Sequence, residues 1–467
     1  MVELSESLNP KEMRKSILSL AWPAVLRMLL QSIVGIVDVI MVGNLGAAAL
    51  AAVDVSNKLV FVVVGSLSAL GIGSTALVAR YTGAKDHKRA NRVIWQSLLS
   101  GLVLSILVAI IGIFFSKDLL RLMMILMENA DQFILEEGSS YLQIVFIFMI
   151  FGLPMIIINA VLQGIGDMKT PLYIMAITNV INTVVNYLLI FGIAFFPKLG
   201  VTGAAIGTGL GRTVGAIIGI IVLLKGKTDI RLRVEDISLK FDWGIIKNIF
   251  TIGIPAAIEQ LVRQSSQIVY TVLVAGLGTL TIAANAVAMN VNMLPIMIGF
   301  GFAMAATTLV GQSLGAGRDD LAKEYGKQTT YITMVLMTLV SIPMFIWSEP
   351  LINLYTNNAE VISITKPVLK IVIIIQPIFA VLMVLSGALR GAGDTKWTMY
   401  ITAIGNWGVR LILSTFFGYY LGYGLIGFWF GMGMDVLVRT GLIIWRYRSD
   451  KWQNVYERNQ MEEKIAA

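Results

Sequence analysis

A few oxygen-bearing side chains interrupt a chain that is otherwise mostly hydrocarbon. Asp38 lies in QSIVGIVDVIMVGNLG (31–46), with no basic residue within a helical turn. Gln31, Gly35 and Asp38 are spaced to share one helical face, since seven residues make nearly two turns. In ITNVINTVVNYLLI, Asn179, Asn182 and Asn186 are spaced by three and four and form a second stripe. An unpaired acid at the centre of a bilayer costs about 2.5–3.5 kcal/mol or more. A proton relieves that cost, because desolvation favours the neutral acid. A cation relieves it too, if neutral oxygens complete its shell, and asparagine amide oxygens suit a hard cation such as Na⁺. Asp38, Asn182 and Asn186 thus predict an ion site open to H⁺ or Na⁺, with Na⁺ as the only metal expected. The competing role is hydrogen bonding between helices.

These residues need helices long enough to cross a bilayer, about 20 residues each. The 467 residues are 57% hydrophobic and 14% charged, with mean hydropathy +0.79; a soluble chain carries about 25% charge. The pattern predicts an all-α polytopic membrane protein. Its twelve spans fall near 15–43, 50–79, 93–115, 138–163, 171–194, 201–224, 247–275, 282–312, 328–347, 364–388, 398–420 and 424–445. The N-terminal MVELSESLNPKEMRKS is polar and lacks a small-residue cleavage site, so no signal peptide is expected. The chain has no cysteine, and its one histidine, His87, sits in the charged stretch AKDHKRANR. Disulfides, Fe–S clusters and thiolate zinc are excluded, and an intramembrane histidine relay is not expected.

The net charge of +8 alternates along the chain. Lys85, Lys88, Arg89 and Arg92, then Lys169, then the 225–240 stretch, then Arg318 and Lys323, then Arg390 and Lys396 mark every second loop. The intervening 116–137 stretch is acidic, with Asp118, Glu128, Asp131, Glu136 and Glu137. By the positive-inside rule both termini are cytoplasmic, and the basic excess signals topology, with no nucleic-acid partner.

Shifting the sequence by 232 superimposes Pro23 on Pro255, Gly46 on Gly278 and Thr75 on Thr307. A shift of 227 joins LQGIGDMK (162–169) to LRGAGDTK (389–396) and Asn179 to Asn406. The repeat is six spans long, which predicts two pseudo-symmetric six-helix lobes around a central cleft. The expected divisions are a lobe over 1–224, a connector over 225–246, a lobe over 247–446 and a cytoplasmic tail over 447–467. Residues common to both halves most simply hold the common fold. Asp38 falls opposite Tyr270, and Asn182 and Asn186 opposite Val409 and Leu413, so the polar cluster is asymmetric.

With these stretches, and with GSTALVARYTGAKD and its twin AATTLVGQSLGAGR, the chain resembles the multidrug and toxic compound extrusion (MATE) family over essentially its whole length. The resemblance implies a cation-coupled antiporter of the cell membrane: H⁺ or Na⁺ enters while organic, often cationic and amphipathic, drug-like compounds leave. It maps the coupling-ion residue of the first helix to Asp38, the fifth-helix pair to Asn182 and Asn186, and a sixth-helix hydroxyl to Thr202 in GVTGAA. No cofactor or nucleotide is implied, and a monomer is expected. Some branches carry an aspartate at the place of Asn186, so the choice of ion stays open. Other branches carry acids in the seventh and tenth spans. Here the tenth, IVIIIQPIFAVLMVLSG, has none, and the seventh, GIPAAIEQLVRQ, has Glu259 about one turn from the family position.

Glu259 and Arg263 have the spacing of an intrahelical ion pair; the alternative for Glu259 is a second proton or substrate-cation site. Asp435 is expected to pair with Arg439. Gln31, Tyr270, Met289 and Met293 are candidate cleft residues, the methionines because adaptable side chains suit promiscuous apolar ligands. GKT at 226–228 lacks the upstream glycine of a phosphate loop, and GTGLG at 207–211 reads as close helix packing. The connector's alternating pattern fits an amphipathic interfacial segment. A flippase for lipid-linked saccharides or other amphipathic lipids is the alternative on this architecture, with Arg27, Lys58, Arg212, Arg263 and Arg410 as its basic residues. An intramembrane enzyme would need a nucleophile–base set or a metal, and without cysteine or an intramembrane histidine only acids remain for it.

Overall fold

The computed structural model describes residues 9–125, 132–193, 195–226 and 240–455. Most of the 225–246 connector therefore lies outside the described residues, as do Glu128 and Asp131. Six helices form the first repeat: α1 (Pro10–Gly43), α2 (Ala47–Gly83), α3 (His87–Ile125), α4 (Gln132–Ile165), α5 (Lys169–Phe191) and α6 (Gly200–Lys225). The second contains α7 (Trp243–Ala275), α8 (Thr279–Gly315), α9 (Asp319–Ile346), the short α10 (Ser348–Asn353), α11 (Ala359–Gly391), α12 (Thr395–Ala403), α13 (Ile412–Thr415) and α14 (Gly424–Arg448). No strand occurs among the described residues.

Eleven of these helices are long and apolar enough to cross a membrane. The twelfth expected span, 398–420, is a helical run whose winding changes: α12 and α13 alternate with π-helical segments at Ile404–Leu411 and Phe416–Tyr420. No single piece reaches spanning length, although the run as a whole does. α3 continues to Ile125, ten residues past the predicted 93–115 span, so part of the expected acidic loop is helix.

The chain packs as two compact units. The N-terminal unit is Leu26–Gly253; the C-terminal unit is Ile254 onward together with the chain up to Val25. The dividing points fall inside α1 and α7, beside Pro23 and Pro255, where each proline removes a backbone hydrogen bond from its helix. The sequence reading instead divides the chain in the 225–246 loop.

Within each unit the packing repeats. α4 packs on α2, α3 and α6 in the first, and α11 packs on α8, α9 and α14 in the second. Equivalent threonines tie equivalent helices: Thr75 Oγ1 donates to the Ala160 carbonyl and Thr307 Oγ1 to the Gly387 carbonyl, each at 2.8 Å. Gly46 and Gly278 open α2 and α8 at φ +115° and +107°, which L side chains rarely adopt. The shared residues thus hold the common fold.

Gly391 marks where α11 touches α8. A methyl group there would lie 2.9 Å from Thr307 Cα, whereas one at Gly441 meets nothing within 4 Å. Gly391→Ala is expected to destabilise by about 1–3 kcal/mol through overpacking, and Gly441→Ala to leave stability unchanged or slightly raised. Thermal unfolding of both variants in detergent checks this.

Candidate functional site

In the N-terminal unit, glycine spacing on α6 positions the asparagine stripe of α5. Gly203, Gly207 and Gly211 recur every fourth residue, and their absent side chains are where α5 presents Leu189, Asn186 and Asn182. Two helices meet backbone to backbone, so the asparagine side chains must project along the seam or toward α1. Asn186 Nδ2 donates to Asp38 Oδ1 at 2.8 Å, and Asn179 Nδ2 donates to the Leu30 carbonyl at 3.3 Å. Both contacts run in the same order along α1 and α5, as two odd-numbered spans require. Asn182 Nδ2 donates to Thr208 Oγ1 at 3.1 Å.

The structure therefore brings Asp38 and Asn186 into direct contact, with Asn182 one turn along. The hydroxyl that meets the cluster belongs to Thr208. Thr202 is six residues closer to the start of α6, about 9 Å along the axis, and is half-buried. Asp38 is half-buried and lies five residues from the end of α1, not at its middle. Gln31 is exposed. The amide oxygens of Asn182 and Asn186 are buried and have no hydrogen-bond partner, an arrangement that costs free energy unless something fills it. Carboxylate and amide oxygens are the donor set for Na⁺, and the carboxylate alone can take a proton. Arg212 and Tyr141 are within electrostatic reach of Asp38. Among the described residues, however, no lysine or arginine nitrogen comes within the 4.0 Å ion-pair limit of its carboxylate.

The C-terminal unit treats its acids differently. Glu259, 3% exposed, accepts from Arg263 Nη2 at 2.7 Å, Arg390 Nη2 at 2.5 Å and Thr398 Oγ1 at 2.9 Å. The predicted pair with Arg263 forms, and Arg390 and Thr398 add to it, so Glu259 is a clamped carboxylate and not an open second acid. Spacing could not show Arg390, which is distant in sequence. A signal existed nonetheless: Arg390 stands where the paired motif of the first half has the neutral Gln163. Asp435, fully buried, pairs with Arg439 as expected (two bonds of 2.6 Å) and also with Arg410 (3.0 Å).

Both arginine pairs and Glu259 line a cavity of about 280 Å³ that Met289 also borders. Three of the four candidate cleft residues, Gln31, Tyr270 and Met293, are not in this lining. Tyr270 is 0% exposed in the hydrophobic core, edge-on to Phe428, because that side of α7 faces α14 packing. Met293 is 53% exposed, a turn from Met289 but outside the cavity lining.

Two units of repeated topology, built from helices long and apolar enough to cross a membrane and enclosing buried polar side chains, describe a polytopic membrane protein. The MatE family model matches twice, over residues 23–188 and 255–416, starting at the two equivalent prolines. A probable multidrug resistance protein NorM of Thermotoga maritima is 31% identical over 446 residues, 95% of this chain and 94% of its own length. A Bacillus subtilis protein also described as a probable NorM is 26% identical, over 98% of this chain and its full length. The fold is similar to a MOP superfamily transporter from Pyrococcus furiosus (TM-score 0.85, 22% identity, 95% of this chain and 97% of that one). It is also similar to a Vibrio cholerae MATE transporter (TM-score 0.87, 21% identity, 96% and 100%). The chain belongs to the MatE family of multi-pass membrane transporters, and is not an enzyme.

Removing one partner of a buried ion pair leaves uncompensated charge and costs about 3–5 kcal/mol. Glu259→Ala strands Arg263 and Arg390 and is expected to lower stability by that order. The yield of monodisperse protein and its thermal midpoint measure the loss.

Proposed function

We propose that the protein is a secondary active exporter of amphipathic organic compounds, driven by H⁺ or Na⁺ entering in exchange, through alternating access. The observation that carries this reading is the state of Asp38. It is a half-buried carboxylate held by a neutral amide, beside two buried amide oxygens without partners. A permanently paired acid has no reason to bind and release a mobile cation; this one has. Ion binding at Asp38 favours one conformation, and coupling follows only if ion and exported compound differ in affinity between conformations. Asn186 orients the carboxylate, while Asn182 and Thr208 offer further oxygens on the same seam.

The alternation of basic loops supports a cell-membrane location with both termini cytoplasmic. A monomer suffices, since each element of the ion site comes from one chain. A lipid flippase is the second reading, favoured by one observation: the arginines around the C-terminal cavity.

The test is efflux of a fluorescent organic cation or anion from vesicles with imposed pH or Na⁺ gradients. Asp38→Asn is expected to reduce gradient-driven efflux to background while eluting from size exclusion like the wild type; sustained efflux in that variant would remove Asp38 from the mechanism. Asn182→Ala separates the ions. With Na⁺ as the coupling ion, losing one ligating or orienting group raises its half-saturating concentration about tenfold. With H⁺, the Na⁺ dependence is absent in both proteins.

A further inference from the structure

The charge around the C-terminal cavity does not balance. Arg263, Arg390, Arg410 and Arg439 line it, with Glu259 the one acid in the lining. Asp435 sits behind the wall at 0% exposure. Each acid is shared by two arginines, Arg263–Glu259–Arg390 and Arg410–Asp435–Arg439. Four guanidinium charges face two carboxylates, and the surplus is two positive charges within an apolar unit. These arginine side chains are between 9% and 34% exposed, so water screens the surplus only in part.

The hydrogen-bond inventory points the same way. A guanidinium carries five N–H donors and no acceptor. The Nε of Arg263 and the Nε of Arg390 are buried with no acceptor. Asn406, 0% exposed and part of the lining, has neither its amide nitrogen nor its amide oxygen partnered. Asn406 and Arg410 both lie on the π-helical Ile404–Leu411 segment, whose wider turn displaces side chains relative to an ordinary helix; such turns are frequent at functional sites. Unsatisfied buried donors and a positive surplus are costly when empty, and an acceptor carrying negative charge answers both. The remaining wall is apolar and adaptable, with Met289, Phe300, Phe379, Met383 and Trp429. At about 280 Å³ the cavity matches the lower end of small-ligand pockets, roughly 300 Å³.

From this we propose that the C-terminal cavity is a binding site for an amphipathic organic anion. The acidic head (carboxylate, sulfonate or phosphate) sits among the four arginines and the apolar body lies against the methionines and aromatic rings. The inference deepens the reading as an exporter by assigning a substrate class, opposite in charge to the organic cations that the family resemblance implies. It rests on that reading only for the word substrate; the binding site stands on its own geometry.

The experiment uses the purified full-length protein in detergent and isothermal titration with three probes: naphthalene-2-sulfonate as a soluble anion, the size-matched naphthalen-2-ylmethylammonium as a cation, and lysophosphatidate as a lipid anion. Saturable binding of either anion with no comparable cation binding is expected, and which anion binds identifies a soluble or a lipid source. Arg263→Met and Arg410→Met each remove one surplus charge while Glu259 keeps Arg390 and Asp435 keeps Arg439, so both variants are expected to fold. Each is expected to weaken anion binding about tenfold or more, the loss of one charge-assisted contact, whereas the exposed Arg318→Met leaves it unchanged. Cation binding equal to anion binding, binding of neither anion, or full affinity in both arginine variants overturns the proposal. Asp38→Asn keeps the two readings apart: it is expected to lose gradient-driven efflux and to retain anion binding. Failed anion binding with intact efflux would sink only the anion site, and failed efflux with intact binding only the exporter.

Discussion

A carboxylate inside an apolar helical bundle must find a proton, a cation or a donor, and the two units of this protein meet that demand differently. In the N-terminal unit Asp38 receives a neutral amide from Asn186 and, among the described residues, no salt-bridging cation. In the C-terminal unit Glu259 and Asp435 each receive two arginines. The first arrangement leaves room for a visiting positive charge. The second overcompensates and leaves positive charge to spare. One repeated fold thus surrounds its buried acids in two opposite electrostatic ways.

Helix spacing explains how the repeat accommodates both. α6 and α14 each begin at a glycine of φ +54°, Gly200 and Gly424. Counting from these, Asp435 and Arg439 stand where α6 has Gly211 and Gly215. On α6 the glycines let α5 approach and present its asparagines. On α14 a charged pair occupies that seam. Room for it comes from Gly405, where a side chain would strike both Asp435 and Arg439, and the facing helix is wound into π turns beside it. The ion pair, the glycine opposite it and the π-wound facing segment occur together.

Much of this architecture is legible in the amino-acid order because membrane helices obey local rules. Length and hydropathy locate the spans, and the repeat of prolines, glycines and threonines announces the two halves. Asp38 declares itself by being an acid without a neighbouring base. The Asn182–Asn186 stripe is legible by periodicity, although the hydroxyl beside it, Thr208, is not: both it and Thr202 lie on α6, and only the meeting of α5 with α6 selects between them. The π winding at 404–411 left no mark in hydropathy, since hydropathy reads side-chain polarity and not the hydrogen-bond register of the backbone.

The sequence by itself determined the class of protein, the number of spans and the repeat, and it singled out Asp38 as an acid without a neighbouring base, because each depends on composition or on spacing along one helix. Only the tertiary structure decided which second arginine Glu259 and Asp435 each meet. Arg390 lies 131 residues from Glu259 and Arg410 lies 25 from Asp435, and no helical periodicity links either pair. Electrostatic energy depends on distance through space and on burial, and both are set when the helices pack.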